Sequence, residues 1–152
     1  MVIIEDTRQK ADKHLLKHAS FDKDGDIIFR SRLLFGDYAL PPKVAVDTKQ
    51  SLMEIAYNMC GRMSEKKRFA EECFAAKQCD SKLVFLIEDG RFQKPADLIG
   101  TNIWLRDKRI IQGEQLYRAM VSMSNTYGVD FRFCRPEDAA KIIKDVLTND
   151  YK

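Results

Sequence analysis

Two short stretches of this chain carry residue types that could act together on a phosphate: Gly36-Asp37-Tyr38 and Asp47-Thr48-Lys49, with nine residues between Asp37 and Asp47. An acid at one strand end, followed across a turn by acid-x-Lys on the next strand, brings two carboxylates and an ammonium together. Side chains two apart on a strand share a face, so Asp47 and Lys49 project together with the small Ala45, and Val44, Val46 and Thr48 face the other way. Two neighbouring carboxylates repel each other. A hard divalent cation such as Mg²⁺ or Mn²⁺ relieves that repulsion by taking their oxygens, and keeps waters and a substrate phosphate in its other positions. Such an ion acidifies a bound water and neutralises charge on a pentacovalent phosphorane, while a lysine orients the water or stabilises the developing oxyanion. The expected chemistry is phosphodiester hydrolysis, with Asp37 and Asp47 as metal ligands and Lys49 as the catalytic cation.

Those residues need strands and covering helices around them. Ile27 to Leu34 reads as a strand, Leu40-Pro41-Pro42-Lys43 as a turn and Val44 to Lys49 as the returning strand, together a hairpin. Val2 to Glu5 is a short β-type run, followed by Asp6-Thr7, good N-cap types for a helix reaching about Ala19. On that helix Ala11, Leu15 and Ala19 predict an apolar face, and Lys10, Lys13 and Lys17 fall on another. Ser51 to Cys60 and Ser64 to Gln78 have helical periodicity, separated by Gly61, with Phe69, Cys73 and Ala76 on one side of the second. Lys82 to Glu88 is a continuous apolar run of the kind buried on both faces of a sheet. Asp89 to Gly113, broken by Gly90, Pro95 and Gly100, predicts a long loop with a short strand at Ile103-Trp104-Leu105. Glu114 to Tyr127 predicts a helix ended by Gly128, Val129 to Cys134 a strand, and Pro136-Glu137-Asp138 the start of a last helix. The order is α/β, a mixed central sheet flanked by helices.

Composition narrows the setting. The 152 residues fit one domain, 1–152, and 45% hydrophobic with 32% charged residues, 7 Gly and 4 Pro exclude disordered and collagen-like chains. No apolar run approaches the ~20 residues of a spanning helix, and the opening meets acid at Glu5 after Val2-Ile3-Ile4, unlike a signal peptide. A soluble intracellular protein is expected, of the cytoplasm or of a eukaryotic nucleus, with no membrane partner. Cys60, Cys73, Cys79 and Cys134 form no Cys-x-x-Cys pair and have no nearby histidine, so reduced thiols, mostly in the core, are expected in place of a zinc or redox site. A net charge of +3 permits a nucleic-acid partner without demanding one.

Several further groups have two readings. Arg62, Lys66, Lys67 and Arg68 cluster at a helix start, where backbone N–H groups also favour phosphate, and are either DNA-backbone contacts or a plain surface. His14 with Lys10, Lys13 and Lys17 lines an electropositive face near the site or is a solvated basic stripe. His14 and His18 stand one helical turn apart, but Leu15 takes the place of the metalloprotease Glu and no third ligand is evident. Asp22-Lys23-Asp24-Gly25-Asp26 imitates the start of an EF-hand loop and fails at Ile27 and Leu33, so it is read as a turn. Asp6 supports the site or caps the first helix, and Glu54 belongs to the site or to a helix surface.

With these residues set out, the chain resembles the nuclease domain of the XPF/Hef family, a branch of the restriction-endonuclease-like PD-(D/E)xK superfamily whose pattern is Gly-Asp, a spacer, Glu-Arg-Lys and a later acid. The matches are Gly36-Asp37, Asp47-Thr48-Lys49 and Glu54. Ile3-Ile4-Glu5-Asp6-Thr7-Arg8-Gln9 looks like the family's first strand and its Asp-x-Arg-Glu, and Lys82 to Glu88 is similar to its later core strand ending in Glu. The resemblance covers about residues 2 to 89 and continues to 148, in the manner of small phage-type members. Gln9 stands where the family has Glu, Asp47-Thr48 replaces Glu-Arg, and the trailing acid comes one residue late, with Met53 in its expected place. The family's helix-hairpin-helix module has no counterpart here. The resemblance implies a restriction-endonuclease-like fold and a Mg²⁺- or Mn²⁺-dependent DNA endonuclease acting on branched or structured DNA in repair, recombination or phage DNA processing. Asp37, Asp47, Lys49 and Asp6 are its implied catalytic residues, supported by Gln9, Glu54 and Glu88, with Arg8, Lys13, His14, Arg62, Lys66, Lys67 and Arg68 on the DNA. The alternative is a catalytically silent DNA-binding module of the same fold. A nucleotide-binding protein is disfavoured, since no Gly-rich loop follows a strand. A homodimer is expected, through Leu116, Tyr117, Met120 and Met123 of one C-terminal helix and Ile142, Ile143, Val146 and Leu147 of the other.

Overall fold

The computed structural model describes residues 2–40 and 44–149. Strand β1 (Val2–Asp6) leads through a loop and a 3-10 turn into α1 (Leu15–Lys23), and β2 (Ile27–Ser31) returns parallel to β1. Strands β3 (Tyr38–Leu40) and β4 (Val44–Lys49) form an antiparallel pair, with Tyr38 opposite Val46 and Leu40 opposite Val44. Helices α2 (Leu52–Cys60) and α3 (Met63–Gln78) cross over to β5 (Lys82–Ile87), parallel to β4, and α4 (Gly113–Tyr127) crosses over to β8 (Asp130–Phe133), parallel to β5. Between them β6 (Asn102–Trp104) and β7 (Ile110–Gln112) make a separate ribbon, and α5 (Ala139–Asn149) closes the chain. The six-stranded mixed sheet runs β2-β1-β3-β4-β5-β8.

Alternation along the strands divides the interior into two layers. Ala45, Leu83, Phe85 and Ile87 pack against α2, α3 and α4, while Val44, Val46, Val84 and Leu86 pack against α5 with Phe21 of α1. Residues such as Phe85 and Val84 are fully buried because both faces of β5 are covered, as its unbroken apolar run predicts. No helix among the described residues is long and apolar enough to cross a membrane. All four cysteines are free, with Cys79 exposed and the other three buried.

The expected hairpin is corrected in its partner. Residues Ile27–Ser31 pair with β1, and the strand that turns back onto β4 is the much shorter β3. A parallel return needs a crossover, and α1 supplies it. The turn assigned to Leu40–Lys43 falls on residues 41–43, outside the described residues. The 89–113 segment, expected as a loop with one strand, carries a two-stranded ribbon with Ile103 opposite Ile111.

Helix α1 faces the opposite way from its apolar pattern. Leu15 and Leu16 are 64% and 67% exposed, whereas His14, Lys17 and Phe21 turn to the sheet. The sheet surface beneath explains this, since it presents Glu5, Glu88 and the Tyr38 hydroxyl, which cations and imidazoles satisfy and leucines cannot. Lys17 Nζ meets Glu88 Oε1 at 2.8 Å with both side chains buried, and His18 Nε2 meets Glu5 Oε2 at 2.5 Å. The basic stripe of Lys10, Lys13 and Lys17 is therefore not one solvated face.

The apolar residues expected to form a dimer surface are mostly spent within the chain. Leu116, Met120, Ile143, Val146 and Leu147 are buried in the two layers, leaving Tyr117, Met123 and Ile142 partly covered.

Candidate active site

The β3–β4 register brings the acids together. One residue beyond the last paired position, Tyr38 opposite Val46, the chain places Asp37 level with Asp47, and the Asp37 amide donates to the Val46 carbonyl at 2.8 Å. Gly36 makes the approach possible: its φ of +74° is left-handed, and a Cβ there would lie 3.0 Å from the Ala45 Cβ. Ala45 is small for the same reason.

Around this corner Asp37, Asp47, Thr48, Lys49, Gln9, Lys13, His14, Gln50 and Glu54 line a cleft of about 160 Å³. Besides Val46, three residues hold Asp37. Its Oδ2 accepts from the Thr48 amide at 2.7 Å and the Thr48 hydroxyl at 2.8 Å, and its Oδ1 accepts from the Gln9 side-chain amide. The neighbouring strand β1 fixes its backbone through the Asp6 amide, which donates to the Asp37 carbonyl at 2.7 Å. Lys49 Nζ lies 3.0 Å from Asp47 Oδ1, an oxygen that is buried and takes no well-aligned hydrogen bond. Lys49 also stands over the Phe85 ring.

A third acid comes from α3. Glu72 Oε1 accepts from the Gly36 amide at 2.8 Å, and its charge is felt by Lys49. Burial, then the Asp47 charge, pushes the Glu72 carboxyl up to about 8. Burial and the same Asp47 charge hold Asp37 well above the usual carboxylate range, against the Thr48 hydrogen bonds and Lys49. Burial works to neutralise Lys49, but Asp47 and then Glu72 outweigh it, so Lys49 remains an ammonium held above its ordinary value. The cleft thus gathers three acids around one ammonium in a poorly solvated place, where burial and mutual repulsion favour keeping protons on Asp37 and Glu72.

That balance bears on a metal ion. Among the described residues no three His, Cys, Asp or Glu side chains meet in a metal-binding group. Mg²⁺, however, is commonly held by one or two carboxylates with waters and substrate phosphate completing the shell. Asp37 and Asp47 offer hard oxygens, the buried Asp47 Oδ1 is met by Lys49 alone in an ion pair without good hydrogen-bond alignment, and the mutual repulsion of the two acids is what a cation would remove. The donor set fits a hard divalent ion.

The other candidates divide. Glu54 lines the cleft while also closing the start of α2, its Oε2 accepting from the Gln50 amide at 2.9 Å and its own amide donating to Ser51 Oγ at 3.2 Å. His14 reaches the cleft edge with Nδ1 2.5 Å from Tyr38 Oη, and burial followed by the Lys17 charge lowers its pKa to about 4, so it is a neutral imidazole. Asp6 does not line the cleft, nor does it cap α1; its carboxylate accepts from Arg8 Nε at 2.6 Å and from the Leu33 amide at 3.1 Å. Arg8 continues to the Leu33 carbonyl. Glu88 is buried on Lys17 and stays out of the cleft. Lys66, Lys67 and Arg68 are exposed on the first turns of α3, apart from the acids, with Arg68 paired to Glu65 at 2.6 Å.

Two contributors escape the short motifs. Thr48, placed by strand alternation on the other face, reaches Asp37 because Asp37 sits on the neighbouring strand and not on its own. Glu72 comes from a different element altogether; its signal is an acid set against the Phe69, Cys73 and Ala76 stripe of α3, where an apolar residue would pack as well.

No family model and no curated protein matches this chain. Among solved structures it is similar to XPF from Aeropyrum pernix in complex with DNA, at 17% identity and a TM-score of 0.68 over 96% of this chain. XPF from Aeropyrum pernix in a second structure gives 17% identity and a TM-score of 0.65 over 97%. The fold is XPF-like. The mixed six-stranded sheet with its flanking helices is accordingly the restriction-endonuclease-like architecture expected from Gly36-Asp37 and Asp47-Thr48-Lys49. The chain spans 62% and 63% of the length of these two chains.

Proposed function

We propose that this protein is a divalent-metal-dependent DNA endonuclease that hydrolyses phosphodiester bonds in branched or structured DNA. The observation that carries the reading is the meeting of Asp37, Asp47 and Lys49 at one small cleft, in a fold shared with a protein solved on DNA. Asp37 and Asp47 hold Mg²⁺ or Mn²⁺, which when bound lowers the pKa of a water and screens the scissile phosphate. Lys49 faces the reacting phosphate as a permanent ammonium and stabilises charge that develops there. Thr48 fixes the Asp37 carboxylate through two hydrogen bonds, so its direction does not depend on the ligand. Glu54 and His14 border the cleft, and Lys13 supplies positive charge at its mouth. Lys66, Lys67 and Arg68 contact the DNA backbone beyond it, and Arg62 lies between the two.

A silent DNA-binding module is the second reading, favoured by Gln9, whose amide occupies Asp37 Oδ1 where the resembled family carries an acid. Pairing of two copies, if part of the activity, uses what α4 leaves outside, Tyr117 and the 40%-exposed Val121 beside Pro95 and Phe131. The deciding experiment incubates pure protein with labelled single-stranded, flap, forked and four-way-junction DNA, with Mg²⁺, with Mn²⁺ and with excess chelator. Metal-dependent cleavage of the branched substrates is expected. Binding without cleavage under every condition supports the silent module, and cleavage in chelator overturns the metal assignment.

A further inference from the structure

Hydrolysis takes a proton from the attacking water, and the cleft offers few groups to receive it. Lys49 is held as an ammonium and has no lone pair free. Asp37 is engaged by Thr48 and Gln9, Asp47 by Lys49, and both hold the metal in the reading above. Glu54 spends its Oε2 on the Gln50 amide. His14, at the end of the 3-10 turn before α1, borders the same cleft as a neutral imidazole. It is fixed from behind by a buried stack. Its Nδ1 lies 2.5 Å from the hydroxyl of the fully buried Tyr38, and next after burial the group acting most on that hydroxyl is the Glu5 carboxylate. Glu5 is fully buried too, with Arg30 Nε 3.1 Å from its Oε1 and His18 Nε2 2.5 Å from its Oε2, yet Oε1 takes no well-aligned hydrogen bond.

A tyrosine hydroxyl has one proton to give. Drawn to the Glu5 carboxylate, that proton leaves the Tyr38 oxygen as the acceptor for His14, so the ring donates from Nδ1–H and keeps its lone pair on Nε2. The Nδ1 edge faces the buried tyrosine, which leaves the Nε2 edge to the cleft. The reverse tautomer would set the Glu5 carboxylate and a bare Nδ1 in competition for one hydroxyl proton. We infer that His14 is the general base of the cleft, its Nε2 taking a proton from the water that attacks the phosphate, with Tyr38 and Glu5 as positioning residues that fix its tautomer and direction. The inference rests on the nuclease reading for the reaction and adds the fate of its proton. One water O–H bond breaks, its proton passes to Nε2, and the oxygen bonds to phosphorus. The phosphorus–oxygen bond to the departing strand breaks, and its electron pair leaves on that oxygen, which takes a proton from solvent. The imidazolium then returns its own proton to solvent, and Lys49 stays an ammonium throughout. A base within reach of the nucleophile and oriented by a further group is a recurrent arrangement where a nucleophile has to be activated.

Two measurements separate a base from a histidine that only fills space. In the unaltered protein carrying ¹⁵N-labelled histidine, long-range ¹H–¹⁵N spectra at neutral pH in chelator are expected to show His14 protonated at Nδ1 and bare at Nε2, independently of any variant's folding. The chain has 2 histidines, so the His14 signals are those missing from His14→Asn. Tyr38→Phe, which removes only the hydroxyl, is expected to turn the single tautomer into a mixture. In single-turnover cleavage with Mg²⁺, His14→Asn keeps a side-chain N–H for Tyr38 and loses Nε2. It is expected to cleave about 10²-fold more slowly than the parent, with its circular dichroism and its affinity for DNA in chelator unchanged. A proton found on Nε2, a His14→Asn rate equal to the parent's, or a rate loss matched by lost affinity would overturn the inference. So would a tautomer that ignores Tyr38→Phe, which would remove Tyr38 and Glu5 from the positioning of the ring. A parent that cleaves no DNA refutes the nuclease reading and the base with it, whereas a parent that cleaves no faster than His14→Asn refutes the base alone.

Discussion

Replacing Glu72 by glutamine removes the titratable acid that α3 adds to Asp37 and Asp47 at the cleft while keeping an oxygen to accept the Gly36 amide, and its effect on stability has a calculable pH dependence. The Glu72 carboxyl titrates near 8 in the folded chain against an ordinary value of 4.5. A carboxyl raised on folding holds its proton where the unfolded chain has released it, so its contribution is full below the unfolded value and is lost as pH rises to the folded one. His14 runs the other way: with its pKa lowered from 6.5 to about 4, its contribution is lost as pH falls through that window. Between about pH 6.5 and pH 8 the Glu72 slope is separate from that of His14. At about 1.4 kcal/mol per pH unit it amounts to about 2 kcal/mol over that interval. Asp37 shares the direction, so the informative quantity is the difference between parent and Glu72→Gln. Guanidinium unfolding in chelator at several pH values measures it. The parent is expected to lose about 2 kcal/mol more than the variant over this range, and Mg²⁺ to shrink the gap. Parallel pH curves for the two proteins would refute the picture of a repelling acid cluster.

The remaining expectations concern activity, grip and assembly. Asp37→Ala and Asp47→Ala are each expected to abolish metal-dependent cleavage with the circular dichroism unchanged; activity surviving in both would remove them from the site. Lys49→Ala is expected to slow cleavage on the order of 10²-fold while Mn²⁺ still binds by calorimetry, and loss of Mn²⁺ binding would contradict its role as a cation acting on the phosphate. Alanine at Lys66, Lys67 and Arg68 together is expected to weaken all DNA structures about equally and to flatten the salt dependence; unchanged affinity at several salt concentrations would make them a plain helix surface. Light scattering at micromolar concentration is expected to give twice the 17.6 kDa chain mass, reduced to one chain by Val121→Asp, and a fully active single chain would exclude the dimer. Ile143 is unsuitable for that test because it is fully buried, and a charge there would unfold the domain.

The parts of this molecule that depend on local pattern were legible in the residues. The run from Lys82 is a doubly covered strand, β5 (Lys82–Ile87), α3 buries Phe69, Cys73 and Ala76, and Gly128 ends α4 in a left-handed cap at φ +70°. Asp37, Asp47 and Lys49 were legible too, because their spacing and the strand period together put them at one corner. What was hidden depends on partners distant in sequence. The parallel pairing of Ile27–Ser31 with β1 cannot be told from a hairpin by alternation, since both pairings use the same pattern. Helix α1 was misread because hydrophobic periodicity assumes an apolar sheet surface, whereas here Glu5, Tyr38 and Glu88 invert the preference and expel Leu15 and Leu16. Glu72 escaped because it stands in the sequence 25 residues from Asp47 and only the α2–α3 crossover brings it back.

The buried contact between Lys17 and Glu88 carries a consequence for descent. Losing either member alone strands the other charge in a dry interior, a change that costs about 3–5 kcal/mol, whereas exchanging both for well-packed apolar residues can be neutral. Single steps away from the pair are thus closed to a marginally stable domain, and only the double step is open. Positions 17 and 88 are tied across 71 residues of chain, so lineages that keep this fold are expected to hold both or to have changed both. The tie restrains the helix below the cleft from drifting, even where selection acts only on folding and not on the chemistry above it.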